Sequence, residues 1–542
     1  MRKEILVLGV LLASGSIRQT AGCTNIIVTK GASSDGSVII TYAVDGEFLP
    51  ALRYTPAADH AHGDLYEVKG RDGVVRLRIP QPPHTYSVVG IMNEHQLAIG
   101  ETTFDGRPEL ENTQGGLHYW ILIQLGLQRA RTAREAITVM TDLVDRYGYA
   151  STGESFSIAD PNEAWILEMI GPGDGGKGAI WVAVRVPDGT IAAHANKSRI
   201  GTFPLNDPQN CVYSSNVIEF AVAKGYYDPK TDGPFRFCEA YCPATAQKLR
   251  YTETRVWSVF RRAAPSLDLP LDYSRGKAGA RPYPLWIKPD RKLSVQDVMA
   301  LMRDHYEGTP IDMTRGVDAG PYGSPLRARP MTFTLDGQTY SWERPISTQQ
   351  TGCSFVAHAR SFMPDEVGGV LWYGVDDTFT SCYFPLYASI TAVPPSYARG
   401  TLQKFSWDSA WWVFNLVANY AQLKFSYMVK DIVKVQQELE GNFFALQPAV
   451  EKTAADMLKS DPERARRFLT DYSVSAGEQV FRRWRELAEA LFTKYNDGYV
   501  KNEAGEPEEL GYPEAWLREV VKERPEQFKL PPDGMVKSPS SY

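Results

Sequence analysis

Cysteine is scarce in this chain, with only 6 among 542 residues. That is too few for the dense disulfide framework of a small secreted scaffold. An excess of one charge sign is also lacking: 58 Lys and Arg stand against 64 Asp and Glu, a formal net charge of -6. Phosphate binding needs clustered positive potential, and the cations here are dispersed, so nucleic acid is not an expected partner. No stretch approaches the ~20 consecutive apolar residues of a membrane-spanning helix. Nor is there the apolar poverty of a disordered chain, since 43% of residues are hydrophobic. The eight His form no His-Glu-x-x-His helix and no Cys/His pairing at zinc spacing, so no metal and no cofactor are expected. A Gly-x-Ser-x-Gly elbow is absent too, which counts against a serine site of the α/β-hydrolase type.

What is present begins at the N-terminus. Arg2 and Lys3 lead into an apolar run at 5–13 and then a small, polar stretch at 14–22. This is the order of a secretory signal peptide, so residues 1–22 are expected to be removed and the protein exported: periplasmic, cell-surface or secreted. Directly after Gly22 stands Cys23, and two chemistries compete for it. If Thr20-Ala21-Gly22-Cys23 is a lipobox, the sulfur carries lipid and is inert, and the protein has a lipid anchor; Thr20 fits that motif weakly. If cleavage is plain, Cys23 gains a free α-amino group. Such a group has a pKa of ~7.7–8.0, so it can take the proton of its own thiol and later return it to a leaving amine. Nucleophile and base then belong to one residue, and no distant histidine is needed.

The residues after Cys23 favour the second chemistry. Runs rich in β-branched residues at 25–29 and 37–42 flank the turn signal Ser34-Asp35-Gly36-Ser37. Cys23 therefore begins a strand, and a hairpin returns Asp45 to the same end. Further blocks follow: Met92-Asn93-Glu94-His95 with Gly100-Glu101-Thr102-Thr103, Trp165 to Met169, His194-Ala195-Asn196-Lys197-Ser198-Arg199-Ile200, Arg255-Val256-Trp257, Gly374-Val375-Asp376-Asp377 and Trp407-Asp408-Ser409-Ala410. In these blocks, spaced from Cys23 to about residue 450, the chain resembles the C69 family of dipeptidases, cysteine hydrolases of the N-terminal-nucleophile (Ntn) class.

The resemblance implies an α+β fold, the αββα four-layer sandwich of Ntn hydrolases. It would place a catalytic domain at 23–400, followed by a helical C-terminal region with a polar tail at 401–542. The pattern of the residues agrees: short β-rich runs dominate 23–200 with one helical stretch near 117–147, and 407–495 reads as helices. By resemblance, Cys23 is the nucleophile and its amino group the base. Asp45 matches a carboxylate that holds amino group and thiol in register; its plainer reading is a turn-capping Asp. Asn196 resembles the amide that donates to the oxyanion, a role worth ~2.7–4 kcal/mol in comparable sites, against a plainer reading as a strand-end Asn. Thr102 or Thr103 would complete the oxyanion site. One departure stands out: the family commonly has Arg three residues before the hairpin Asp, and here that position is Tyr42. Arg199 or Arg360 would then have to supply positive charge for a peptide's C-terminus.

Other signals read as structural. The glycine-rich stretch 171–178 lacks the Ser/Thr of a P-loop and lies between two strand-like runs, so it reads as a hairpin loop. Adjacent strand residues point to opposite faces, which predicts one structural and one exposed member of Asp376-Asp377. Cys238 and Cys242 form a local disulfide or stay two thiols, with the disulfide favoured. Trp411, Phe414, Leu416, Val417 and Tyr420 are expected in the core, and 503–542 on the surface. The function expected is an exported cysteine dipeptidase, acting on small peptides through an acyl-thioester on Cys23. The alternatives are an amidase or acyltransferase on N-acyl amides of penicillin or bile-salt type, and a lipid-anchored surface binding protein. Whether the chain forms a homo-oligomer is left open.

Overall fold

The computed structural model describes residues 22–70, 73–113, 115–508 and 510–530. The expected signal segment thus lies outside the described residues, apart from Gly22. The first hairpin forms as its pattern dictates. Strand β1 (Gly22–Val28) and strand β2 (Val38–Asp45) are buried along their whole length and pair antiparallel, with Ile27 opposite Ile40, Cys23 opposite Val44 and Gly22 opposite Asp45. Gly36 turns the chain at φ 79°, a conformation that costs glycine little and a Cβ-bearing residue more.

β1 and β2 sit at the centre of a seven-stranded antiparallel sheet. Ile191–His194 and Trp286–Ile287 flank β1, while Thr351–Ala359, Val370–Val375 and Phe384–Tyr387 extend the sheet beyond β2. A second sheet of eight strands faces it. Its middle is strand β3 (Ala98–Asp105) paired with strand β4 (Gly153–Ala159), and β3 packs across β1 and β2. Helices α1 (Tyr119–Arg129) and α2 (Ala133–Tyr147) lie against the second sheet. Helix α3 (Ala246–Ala263) lies on Ile191–His194, and helices α4 (Ala410–Ala421), α5 (Phe425–Leu458) and α6 (Pro462–Lys494) cover the far strands of the first sheet. The protein is thus a mixed α+β fold. One apolar core joins the two sheets and continues under α4–α6; a second lies between β3–β4 and α1–α2.

Several expectations change in detail. The helical stretch expected near 117–147 is two helices, because Thr132 accepts from the Glu135 amide while Glu135 caps back, restarting the chain after α1. The glycine-rich segment 171–178 joins Ala164–Ile170 to Ile180–Arg185, two strands paired antiparallel. Cys238 and Cys242 are buried free thiols, and the Cys242 thiol donates to the Phe104 carbonyl at 3.5 Å. Asp376 and Asp377 are both buried, so neither is the exposed partner. The strand ends at Val375 and Asp376 takes φ 66°, so strand alternation no longer governs; Asn415 binds Asp376 at 2.9 Å and Ser347 binds Asp377. In the aromatic stripe Phe414 and Val417 are buried, Phe414 stacking on Trp484 with ring centroids 4.6 Å apart, and the other three pack half-buried against the same core. The helix at Glu514–Glu523 buries no residue, in keeping with a surface tail, and 531–542 lie outside the described residues. Among the described residues no helix is long and apolar enough to cross a membrane.

Candidate active site

Cys23 stands one residue into a central strand and is 3% exposed. Each of its polar groups is engaged. The backbone N–H donates to Asn196 Oδ1 at 2.9 Å, the carbonyl accepts from Arg255 Nη1 at 2.6 Å, and the thiol faces Glu101 Oε1 at 3.6 Å. Asn196 reaches Cys23 because it leaves the strand Ile191–His194 in a left-handed conformation, φ 61°, which Asn tolerates better than most side-chain-bearing residues. Its Oδ1 also accepts from Arg255 Nη2 at 2.9 Å, and its Nδ2 donates to the Thr103 carbonyl at 2.7 Å. Arg255 projects from α3 and adds Thr24 Oγ1 at 2.9 Å, so one guanidinium ties the start of β1 to the end of the neighbouring strand.

Asp45 ends β2 directly across from Gly22. Its carboxylate accepts from Arg344 Nη2 at 2.8 Å and from Thr351 Oγ1 at 2.7 Å. The same Arg344 guanidinium lies against Gly22: a Cβ built there would fall 1.8–2.0 Å from its atoms, so close an approach needs glycine as long as Arg344 stays in place. Glu101 and Glu154, on β3 and β4, complete the site. Tyr42 donates to Glu101 Oε1 at 2.5 Å, so the phenol standing where the family pattern has Arg binds a carboxylate of the site. His194 lies behind, bonded to Thr102 Oγ1 and Ser157 Oγ at 2.7 Å each.

Burial dominates the electrostatics. It pushes the Cys23 thiol well up, and the carboxylates of Glu101 and Asp45 push the same way. Burial also raises Glu101, and it raises Glu154 further with Glu101 adding to the effect. Asp45 rises by burial against the opposing pull of Arg344. Arg255 is lowered to about 9 by burial and by Arg344, with Asp45 and Cys23 opposing. His194 is lowered to about 3 by burial and by Arg199, so it is neutral at ordinary pH.

Cys23, Asp45 and Asn196 therefore converge from three separate strands or strand ends. Thr102 and Thr103 differ from expectation: the hydroxyl of Thr102 is bonded to His194, and that of Thr103 donates to Glu154 at 3.1 Å. Arg199 and Arg360 do not serve the site. Arg199 is taken up by Glu253 and by carbonyls including that of Ala193, and Arg360 by Glu451 and the carbonyls of Val367 and Gly368. The guanidinium groups at Cys23 and Asp45 belong instead to Arg255 and Arg344. Glu101 and Arg255 lay inside blocks read from the sequence without a role. A lone charge in the β-rich stretch 98–104 is the available signal for Glu101; nothing local marks Arg344.

A thiol, a carboxylate and an amide oxygen thus meet at the start of a central strand. The chain belongs to peptidase family C69, whose sequence profile matches residues 51–438, downstream of Cys23 and Asp45 but across Glu101, Asn196, Arg255 and Arg344. It is a peptidase of that family. Among curated relatives it is similar to a "Probable dipeptidase" of Salmonella dublin, 28% identical, with 74% of this chain and 88% of the relative covered. A "Probable dipeptidase" of Latilactobacillus sakei is 26% identical over 74% of this chain and 81% of its own. "Dipeptidase A" of Lactobacillus helveticus is 24% identical over 77% of this chain and 88% of its own.

Proposed function

We propose that the mature chain is an exported dipeptidase that works through an acyl-thioester on Cys23, exposed as the N-terminal residue once 1–22 are removed. The observation that carries this reading is the treatment of the Cys23 nitrogen. The site holds that nitrogen, on Asn196 Oδ1, as closely as it surrounds the sulfur. Any buried backbone N–H needs an acceptor; here the acceptor is a side-chain amide just beyond the end of the neighbouring strand, which can hold an amine as well as a peptide N–H. The names of the relatives support a dipeptide substrate. The order of layers, helices, sheet, sheet and helices, supports an Ntn-hydrolase sandwich.

In the uncleaved chain the nitrogen is an amide and cannot act as a base, and burial keeps the thiol protonated. Cleavage before Cys23 turns the nitrogen into an amine beside Asn196 and, through the strand register, near Asp45. The amine takes the thiol proton, and the sulfur attacks the peptide carbonyl to form a C–S bond and an oxyanion. Collapse of that adduct breaks the C–N bond while the ammonium of Cys23 protonates the leaving amine. Water then attacks the thioester, releasing the acid and restoring the thiol. Asn196 acts first as a positioning group through Oδ1; to serve as oxyanion donor, its Nδ2 must leave the Thr103 carbonyl. The burial of the sulfur against Glu101 supports a nucleophile over a lipid attachment point.

Intact mass and N-terminal sequencing of the mature protein test the first step: a free N-terminal Cys23 is expected, and a lipid adduct on its sulfur would sink the reading. Cys23→Ala should abolish turnover of a dipeptide panel with the fold intact, and full activity would overturn the role of Cys23. Penicillins and conjugated bile acids belong in the same panel, since preferential turnover of these would replace the dipeptidase by an N-acyl amidase.

A further inference from the structure

Gly22 is the residue that departs when the amine of Cys23 is freed, and the guanidinium of Arg344 lies directly against it. A Cβ built on Gly22 would fall 1.8–2.0 Å from Nη1, Nη2 and Cζ of Arg344. A Cα–Cβ bond is about 1.5 Å, and a Cα stands about 2.4 Å from the nitrogen of the next residue, so this guanidinium lies within about 6 Å of the Cys23 nitrogen. The Arg344 side chain is 8% exposed and that of Asp45 2%, so salt and water screen little of either charge. Arg344 is also incompletely engaged: Nη2 donates to Asp45 at 2.8 Å, while Nε is buried without a partner. Asp45 stands across from Gly22 in the strand register, so both groups border the place that Gly22 leaves.

The other titratable groups around that nitrogen come from every element of the site. The Cys23 thiol is on β1 and Asp45 on β2, Glu101 and Glu154 on β3 and β4 share a proton, and Arg255 projects from α3. Arg329 lies near Arg344 and Asp45, and the phenols of Tyr42, Tyr119 and Tyr306, pushed up by burial, stay neutral. Three guanidinium groups thus outweigh Asp45 and the single charge of the carboxyl pair. A positive surrounding disfavours an ammonium and favours a free amine. An α-amine with the ordinary pKa of about 7.7–8.0 is mostly protonated near neutrality, and in that form it has no room for the thiol proton. We propose that Arg344 is a positioning residue for the base of the reaction: once Gly22 is removed, its guanidinium faces the new α-amino group, keeps it unprotonated in the resting enzyme and holds Asp45 beside it. This rests on the Cys23 reading given above and deepens it. The same repulsion makes the ammonium, once formed, a readier proton donor to the leaving amine.

The acid limb of kcat/KM against pH reports the base of the free enzyme. For mature enzyme acting on a dipeptide, Arg344→Gln should move that limb up by about one pH unit, whereas Arg344→Lys keeps the charge and should leave it near the wild-type position. Asp45→Asn removes the opposite charge and should move the limb down. Lost packing lowers the rate without moving the limb, and it does not give shifts of opposite sign from two neighbouring residues. An unmoved limb in Arg344→Gln, or an equal shift in Arg344→Lys, overturns the proposal. Competitive acetylation of the α-amine in Cys23→Ala, produced without residues 1–22, reads the same group without turnover and with Arg344 in place. That amine should titrate below the ordinary range of about 7.7–8.0, and a value within or above the range overturns the proposal. Dipeptidase activity in Cys23→Ala would sink the nucleophile reading, while a lowered amine in that same protein would still uphold the action of Arg344 on it.

Discussion

Glu451 and Glu101 are both carboxylates buried against the first sheet, yet the protein treats them in opposite ways. Glu451, on α5, receives two nitrogens of Arg360 at 2.6 and 2.9 Å, together with Tyr387 and Gln447. Glu440, about three turns earlier on the same face of that helix, is closed in the same manner by Arg303 and the Tyr383 amide. These pairs fasten the helical layer to the sheet. Glu101 receives a phenol, a thiol and the carboxyl of Glu154, and no cation. A buried carboxylate paired with a cation stays charged and fastens one layer to another; two buried carboxyls set together share a proton and keep their charge low without a cation.

The comparison can be broken from either side. The largest effect is expected at the closed pair: Arg360→Ala leaves Glu451 buried without its cation and should lower unfolding stability by about 3–5 kcal/mol in denaturant titration. A loss under about 1 kcal/mol would mean that the closed pairs do not hold the layers together. Next comes Asn196→Ala, which should cost kcat about 10²–10³-fold in the mature enzyme, measured per titrated Cys23, with a smaller change in melting temperature. The reverse pattern, normal turnover in an unstable protein, would make Asn196 a strand-end residue only.

The Glu101–Glu154 pair should make the protein less stable as pH rises. Burial and Glu101 raise the Glu154 carboxyl in the folded state, so the folded protein binds more protons than the unfolded one above the ordinary carboxyl range of about 4.3. Stability is therefore drawn down as pH rises through that range, and Glu154→Gln should gain on wild type as pH rises, read from melting curves at several pH values. Equal curves at all pH values would show that the pair is not strained. The smallest effect concerns His194. Its folded pKa of about 3 lies below the ordinary 6.5, so the unfolded chain binds more protons between those values and stability is lost as pH falls. About 1 kcal/mol should go between pH 7 and 5.5, and His194→Gln should flatten that slope.

Much of the frame was legible in the residues. The β-branched runs and the Asp35-Gly36 turn predict a hairpin whose register follows from its length, and that alone brings Asp45 back to Cys23. The strand pair around 171–178 follows from its flanks in the same way. Strand alternation does not reach Asp376, because the strand stops one residue earlier and φ turns positive, so both acids are buried. Arg199 and Arg360 differ from expectation because the sign of a charge shows in the sequence while the partner that occupies it does not.

The sequence by itself determined the local chemistry: a cysteine after a signal-like segment, a hairpin that pairs its strand, and an amide and a carboxylate of the right kinds. Tertiary structure decided which charges meet that cysteine. Glu101 lies 78 residues away along the chain and Arg255 232, while Arg344 reaches Asp45 across 299. Local periodicity fixes which face a side chain takes, but closeness between distant segments is set by how sheets and helices pack, and that packing decides which partner a buried carboxyl meets.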